Sequence, residues 1–499
     1  MHGSGLSIAS HLPALQIAVP LLSAVICVLI RKARYAWMLA TTVAWAAFAG
    51  ACVLLNRVML HGTISYEQGG WTPPWGIELR IDIFNALVLI IVTGICAVVI
   101  SASHTSLRLE VPEKKHNLFY AAFLLCMTGL AGMTVTGDAF NIFVFLEISS
   151  LSSYALISQG ATRRALTSSI QYLVMGTIGG TLLLLGIGML YMVTGTLNIA
   201  DMAERLAMVG PSRTVLVALA CVTIGTSIKL AVFPLHIWLP NAYTYAPAIV
   251  TAFLAATATK VAFYVLARFI FSIFGVELAF DQLHLDKVLM PLAILAMFAG
   301  SIVAIYQTDI KRMLAYSSVA QIGYMLLGLS LANEAGLTGG IVHLFNHALM
   351  KSGLFLVLAC VLYRIGSTHI DDMRGIGRRM PWTMAAFVIG GLSMIGVPLT
   401  VGFVSKWYLV SGALAAGLWP VAVLILLSSL LAVIYIWRVV EVAWFQDTPD
   451  DTPEVKEAPL GLLIPTWALA IGIIFFGIYT SLSAGVAGSA ARMLLGAGS

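Results

Sequence analysis

Apolar stretches long enough to cross a bilayer recur along this chain from one end to the other, and little lies between them that could fold on its own. A helix rises 1.5 Å per residue, so about 20 apolar residues cover the roughly 30 Å hydrocarbon layer. About fourteen such spans can be placed. The first lies near 13–30, the seventh near 214–233, the eighth near 247–272, the eleventh near 336–363, the twelfth near 382–413 and the last near 460–482. Composition agrees: 10% of the residues are charged, against about 25% in a soluble domain. The reading is an all-α polytopic membrane protein, with residues 1–499 forming one transmembrane domain.

The first twelve residues carry no Lys or Arg. The first apolar run therefore reads as a retained span rather than a cleaved signal, which needs a basic leader. With the N-terminus outside, the odd-numbered connections hold fifteen Lys and Arg residues and the even-numbered ones six. Cytoplasmic loops carry the basic excess, so both termini are expected on the outer side of a plasma membrane. The net charge of +5 then reflects loop topology, not a nucleic-acid partner. All six cysteines fall inside spans with no CxxC and no His/Cys cluster, so neither disulfides nor metal ligation is expected.

Six of the 27 basic residues remain, and all are inside spans: Lys229, Lys260, Arg268, Lys351, Lys406 and Arg438. A charge near the bilayer centre costs about 2.5–3.5 kcal/mol on insertion scales, so such groups mark ion pathways unless a local partner accounts for them. Arg268 and Arg438 stand near helix ends, where snorkelling to the interface is an equal alternative.

The run Gly137-Asp138-Ala139-Phe140-Asn141-Ile142-Phe143-Val144-Phe145-Leu146-Glu147 carries a carboxylate about two turns into the fifth span. Burial favours the neutral form of such a group and a nearby ammonium favours the ionised one, so a glutamate with a movable cationic partner can gate protons. Lys229 is the expected partner. It stands five residues before Pro234, which ends the helix because proline lacks the N–H and clashes with the preceding turn. In the twelfth span the order is reversed, with Pro398 ahead of Lys406. Interrupted helices at membrane depth are tolerated where they line a cavity, and a matched pair of opposite direction suggests an inverted repeat. His343, His347 and Lys351 follow at four-residue spacing and share one helical face, suited to a proton relay because histidine titrates near neutrality. His236, in the break after Lys229, is a further relay candidate. The acidic connection from Asp447 to Glu457 reads as solvated and without chemistry. No nucleotide, dinucleotide or haem motif occurs, so no cofactor is expected.

GDAFNIFVFLE ending at Glu147, KLAVFPLHIWLPNAY starting at Lys229 and HLFNHALMKSGLFL starting at His343 resemble the antiporter-like subunits shared by respiratory complex I, membrane-bound hydrogenases and Mrp multisubunit cation/proton antiporters. The resemblance covers nearly the whole chain and is strongest to the D-type group of the Mrp antiporter subunits. It implies fourteen helices, two inverted five-helix repeats near 117–272 and 287–443, and discontinuous helices 7 and 12. It also implies a proton path through Glu147, Lys229, Lys260, His343, His347 and Lys406, with other membrane subunits as partners and protons and Na+ as the ions. One departure is Asn241, where complex I relatives usually carry Asp. The alternative is the proton-pumping subunit of a redox-driven complex.

Overall fold

The computed structural model describes residues 10–448 and 455–496; positions 449–454 of the acidic connection, and Gly3 and Ser499 near the termini, lie outside the described residues. The chain opens with α1 (Leu12–Leu29) and α2 (Ala33–His61), then a two-stranded antiparallel ribbon, β1 (Ile64–Glu67) and β2 (Glu78–Ile81), with Ile64 opposite Ile81. Next come α3 (Ile83–Glu110), α4 (His116–Val135), α5 (Ala139–Ile157), α6 (Arg163–Thr194), a short α7 (Ile199–Val209), α8 (Arg213–Leu230), α9 (Trp238–Tyr245) and α10 (Ala248–Ala267). The second half runs through α11 (Asp286–Ile305), α12 (Ile310–Ser330), α13 (Glu334–Ile365), α14 (Ile376–Arg379), α15 (Pro381–Ile395), α16 (Val401–Ala415), α17 (Trp419–Phe445), α18 (Leu460–Ile478) and α19 (Thr480–Leu494).

Among the described residues thirteen helices are long and apolar enough to cross a membrane. The expected twelfth span is divided into α15 and α16, each of 15 residues. The seventh is likewise divided, with α8 and α9 separated by residues 231–237. Both breaks expected at Pro234 and Pro398 are therefore present. The last expected span ends earlier than 482, at Ile478, and α19 follows as a separate helix. α10 and α12 are almost wholly enclosed, whereas α1, α2 and α18 turn most of their residues outward.

Helix starts follow the capping rules. Asp82 accepts from Phe84 and Asn85 to cap α3, and Asn85 returns the bond to the Asp82 N–H. Asp138 caps α5, Asn198 α7, Ser212 α8, Asp309 α12 and Asn333 α13, each satisfying N–H groups the first turn leaves free. Asp138 bridges to Asn198 and Asp309 to His369, so each half has an aspartate-capped helix start tied to a segment sixty residues on.

Three further basic residues find specific partners. Arg268 does not snorkel: its guanidinium lies 2.8 Å from the Asp82 carboxylate, both groups buried, and faces the Phe84 and Tyr264 rings. Arg438 turns back to donate to the Ile305 and Gln307 carbonyls at the end of α11 (3.0 and 2.9 Å). Lys311, expected in a cytoplasmic connection, is buried and donates to the Ala246 carbonyl at 2.7 Å. Glu457, at the end of the acidic connection, accepts from the Trp382 N–H (2.9 Å) and so caps α15. All six cysteines are free thiols.

Candidate functional site

The first half of the expected line is assembled by α5, α6 and α8. α8 stops at Leu230, one residue past Lys229, and Ala231 adopts a left-handed conformation (φ 61°) that turns the chain out of the helix. The indole of Trp238 donates to the Ile228 carbonyl (2.8 Å), taking up one of the acceptors the break releases. Lys229 thus lies in the last turn, where unpaired carbonyls favour a cation. Its ammonium reaches sideways to α5, donating to the Ser150 hydroxyl at 2.7 Å and the Tyr154 hydroxyl at 3.4 Å. The expected Glu147–Lys229 contact is not made: no carboxylate oxygen of Glu147 lies within 4 Å of the ammonium, because the hydroxyls one and two turns further along α5 hold it.

Glu147 and Lys229 are nevertheless neighbours across α6. A Cβ on Gly176 would overlap the Tyr154 hydroxyl and lie 3.1 Å from the Lys229 Nζ, and one on Gly180 would overlap the Glu147 Oε1. These glycines are one helical turn apart, so their Cβ directions are about 5–6 Å from each other. Two absent side chains in α6 make the room in which the carboxylate and the ammonium sit.

The second half is built by α10, α12, α13, α15 and α16. Lys260 is fully buried; its ammonium donates to the Ala255 carbonyl and to Thr259 Oγ1 (3.2 Å) within its own helix. His343 and His347 stack with ring centroids 5.9 Å apart, both completely buried. His343 Nδ1 meets the Ser405 hydroxyl at 2.8 Å, but its Nε2 and both nitrogens of His347 have no hydrogen-bond partner. Gln321 Oε1, Asn346 Oδ1 and Ser352 Oγ are in the same condition on α12 and α13. Lys351 donates to the Leu314 carbonyl at 2.8 Å and to the Ser317 hydroxyl.

Lys406 completes the line from the far side of the second break. Gly396 (φ 93°) ends α15 in a conformation other residues adopt only under strain, and a Cβ there would meet the Lys406 Cδ at 2.8 Å. From the second turn of α16, Lys406 reaches back to the Met394 and Ile395 carbonyls at the end of α15 (2.9 and 2.8 Å). Its ammonium lies 5.1 Å from the centre of the Tyr324 ring, and that ring is 5.6 Å from His343. Lys406, Tyr324, His343 and His347 are therefore consecutive neighbours.

A family described as NADH:quinone oxidoreductase/Mrp antiporter, TM, matches residues 136–432, which hold every group in that line. The chain belongs to this family. It is 41% identical over 487 residues to the N subunit of the NADH-quinone oxidoreductase of Desulforudis audaxviator (strain MP104C), covering 94% of this chain and 96% of that one. It is 30% identical over 483 residues to the D-type subunit of the Na(+)/H(+) antiporter of Bacillus subtilis (strain 168), covering 96% of each. A chain in the structure of the Mrp complex from Dietzia sp. DQ12-45-1b superposes with a TM-score of 0.90 at 27% identity, over 98% of both chains. The resemblance carried by the three sequence motifs therefore extends along the whole family member.

Not every predicted residue joins the line. His236 stacks on Phe233 in the first break and meets the edge of Tyr316 on α12. Among the described residues no hydrogen bond or ion pair connects Lys229 with Lys260. Tyr154 and Tyr324 do not stand out in the sequence reading. For Tyr154 a signal existed, since it follows Glu147 by seven residues and Ser150 by four and so shares their helical face. Tyr324 had none, being one aromatic among many in an apolar span. Asn241 donates to Gln171 (3.0 Å) and accepts from Arg312 (3.3 Å).

Proposed function

We propose that this chain is the proton-translocating subunit of a multisubunit monovalent cation/proton antiporter in a plasma membrane, working with other membrane subunits and exchanging Na+ for protons. One observation carries the reading: a line of buried ionisable groups, Lys260, His343, His347 and Lys406, in which three imidazole nitrogens have no partner. No other side chain or main-chain group occupies these nitrogens, so they are open to a proton or a water. Imidazoles with free nitrogens can accept a proton on one and release it from the other. Lys229 begins the line. With its proton it stays on Ser150 and Tyr154 or swings to Glu147; a hydroxyl can donate to the neutral amine as readily as it accepts from the charged one. The two inverted repeats near 117–272 and 287–443 belong to the same proposal, supported by the paired aspartate caps and the paired helix breaks.

A second reading has its own support in the 41% identity to a chain named as an oxidoreductase subunit: the same line of groups would serve a redox-driven pump. Purification of the intact complex and proton-flux assay in liposomes separate the two. The antiporter reading expects small membrane subunits, flux that depends on added Na+, and none from this chain alone. Iron–sulfur or nickel–iron subunits, with flux that needs an electron donor, would replace it with the second reading.

A further inference from the structure

On the side that carries the first and third connections, a cavity of about 620 Å³ opens between the ends of α1–α2 and α3–α4. Its wall holds Arg34, Trp37, His104, Arg108 and His116. Among the described residues neither arginine has a carboxylate within 4 Å; Arg108 instead meets the His104 ring nitrogen at 2.9 Å, and Trp37 stacks on His104 with centroids 4.9 Å apart. Glu110 is directed elsewhere, accepting the Ala248 N–H at the start of α10, which leaves Glu113 as the one acid in the wall. The first residues of two helices, Ala33 of α2 and His116 of α4, also line the cavity, and neither helix start has a side-chain cap. The unbonded N–H groups at the start of α2 add positive potential to the two arginines, while the His116 N–H already donates to the Glu113 carbonyl. The cavity is built for an oxyanion.

The same seam continues into the membrane and becomes apolar. Arg34, Trp37, Trp45 and Phe48 recur on one face of α2, and Arg108, His104, Ser101 and Gly94 on one face of α3. Trp45 donates to the Ser101 hydroxyl at 3.1 Å between the two levels. Below it lies a second cavity of about 200 Å³, walled by Trp45, Phe48, Ile95, Phe345 and Phe476 among other apolar groups. From Trp37 to Phe48 is eleven residues of helix, about 16 Å, and one leaflet of hydrocarbon is about 15 Å deep. A cationic cup with an apolar crevice about one leaflet further along the same two helices has the spacing and polarity of a phospholipid.

We propose that this seam binds one anionic phospholipid, its phosphate in the Arg34–Arg108 cup and an acyl chain in the crevice against α13. Ala348 and Leu349 line that crevice, next in sequence to His347, so the lipid would pack directly against the helix bearing the buried histidines.

The assembled complex containing this chain is delipidated in detergent, exposed to vesicles of phosphatidylglycerol or of phosphatidylcholine carrying a photoreactive acyl chain, and scored for labelling of this chain. Phosphatidylglycerol should label α2, α3, α13 or α18, and phosphatidylcholine should not. Arg34→Gln with Arg108→Gln should lower labelling about thirtyfold, roughly fivefold for each basic side chain removed near the headgroup. Arg378→Gln, an exposed arginine elsewhere, should leave it unchanged. Gly472→Phe fills the crevice, where the nearest atom of Leu349 is an ordinary 3.8 Å away, and should reduce labelling with the cup intact; it also carries the test if the double variant does not assemble. Equal labelling by both lipids, or undiminished labelling in the variants, would overturn the proposal. So would displacement by inorganic phosphate alone, which would mean a free-anion site, or crosslinking from a photoreactive residue at Tyr35 to an acidic partner polypeptide in place of lipid.

Discussion

Lys229 and Lys406 each stand at a broken helix, yet the two breaks hold their ammonium groups in different ways. Lys229 is the penultimate residue of the first half-helix and points across to hydroxyls on a neighbouring helix. Lys406 belongs to the second half-helix and folds back on main-chain carbonyls of the first. Among the described residues neither ammonium has a carboxylate within 4 Å, but Glu147 stands about one turn of α6 from Lys229. Under the proposed function the counter-charge of Lys229 is one that a proton can cancel, whereas that of Lys406 is the fixed dipole of a helix end. In the proposed cycle the first lysine is switched by a titrating neighbour and the second by whatever reaches it through Tyr324 and the histidines.

The largest effects should come from the lysines themselves. Lys229→Ala and Lys406→Ala should each bring cation-dependent proton flux to background while the complex assembles, since hydroxyls and helix-end carbonyls tolerate solvation. Flux near the parent level in either variant, measured in liposomes, would remove that lysine from the path. A different outcome is expected where a charge is structural. Arg268→Met leaves Asp82 buried without its guanidinium, a loss of about 3–5 kcal/mol, so it should lower the yield and melting temperature of the complex; unaltered stability would mean that the pair does not hold α10 to α3.

Smaller changes test the geometry around each lysine. Gly180→Ala places a methyl against the Glu147 carboxylate and should reduce flux several-fold, whereas Gly188→Ala on the same helix meets nothing within 4 Å and should be silent. Equal behaviour of the two would mean that the room beside Glu147 is not used. Gly396→Ala should be milder, costing about 1–2 kcal/mol for a left-handed alanine, and should lower thermal stability together with a partial loss of flux as Lys406 is displaced. Full retention of both would show that the second break is not tightly held.

The spans, the two breaks and the buried basic residues were legible in the sequence because each follows from a cost that lipid imposes on every chain. Twenty apolar residues, a proline in mid-span and a lysine among leucines are local patterns. What escaped depends on contacts between distant segments. Arg268 stayed undecided between snorkelling and a buried role because Asp82, its partner, is 186 positions away. Lys311 was counted with a connection, and its burial was not foreseen because the turn at Ala246 that covers it belongs to another connection. The ribbon of β1 and β2 lies in a loop whose Gly and Pro residues hide its alternation, and α7 and α19 are too short or too rich in small residues to register as spans. Glu147 and Lys229 were singled out, but their separation was not foreseen, because Ser150 and Tyr154 compete for the ammonium and only their geometry decides.

The central claim is that Glu147 acts by gaining and losing a proton beside Lys229. Glu147→Gln keeps shape and hydrogen bonding but cannot ionise; Glu147→Asp keeps the charge. Proton flux in proteoliposomes holding the assembled complex, followed at several pH values, should be at background for Glu147→Gln and measurable for Glu147→Asp. Flux in Glu147→Gln equal to the parent at every pH, with normal assembly, would make the carboxylate a packed hydrogen-bonding group and contradict the account.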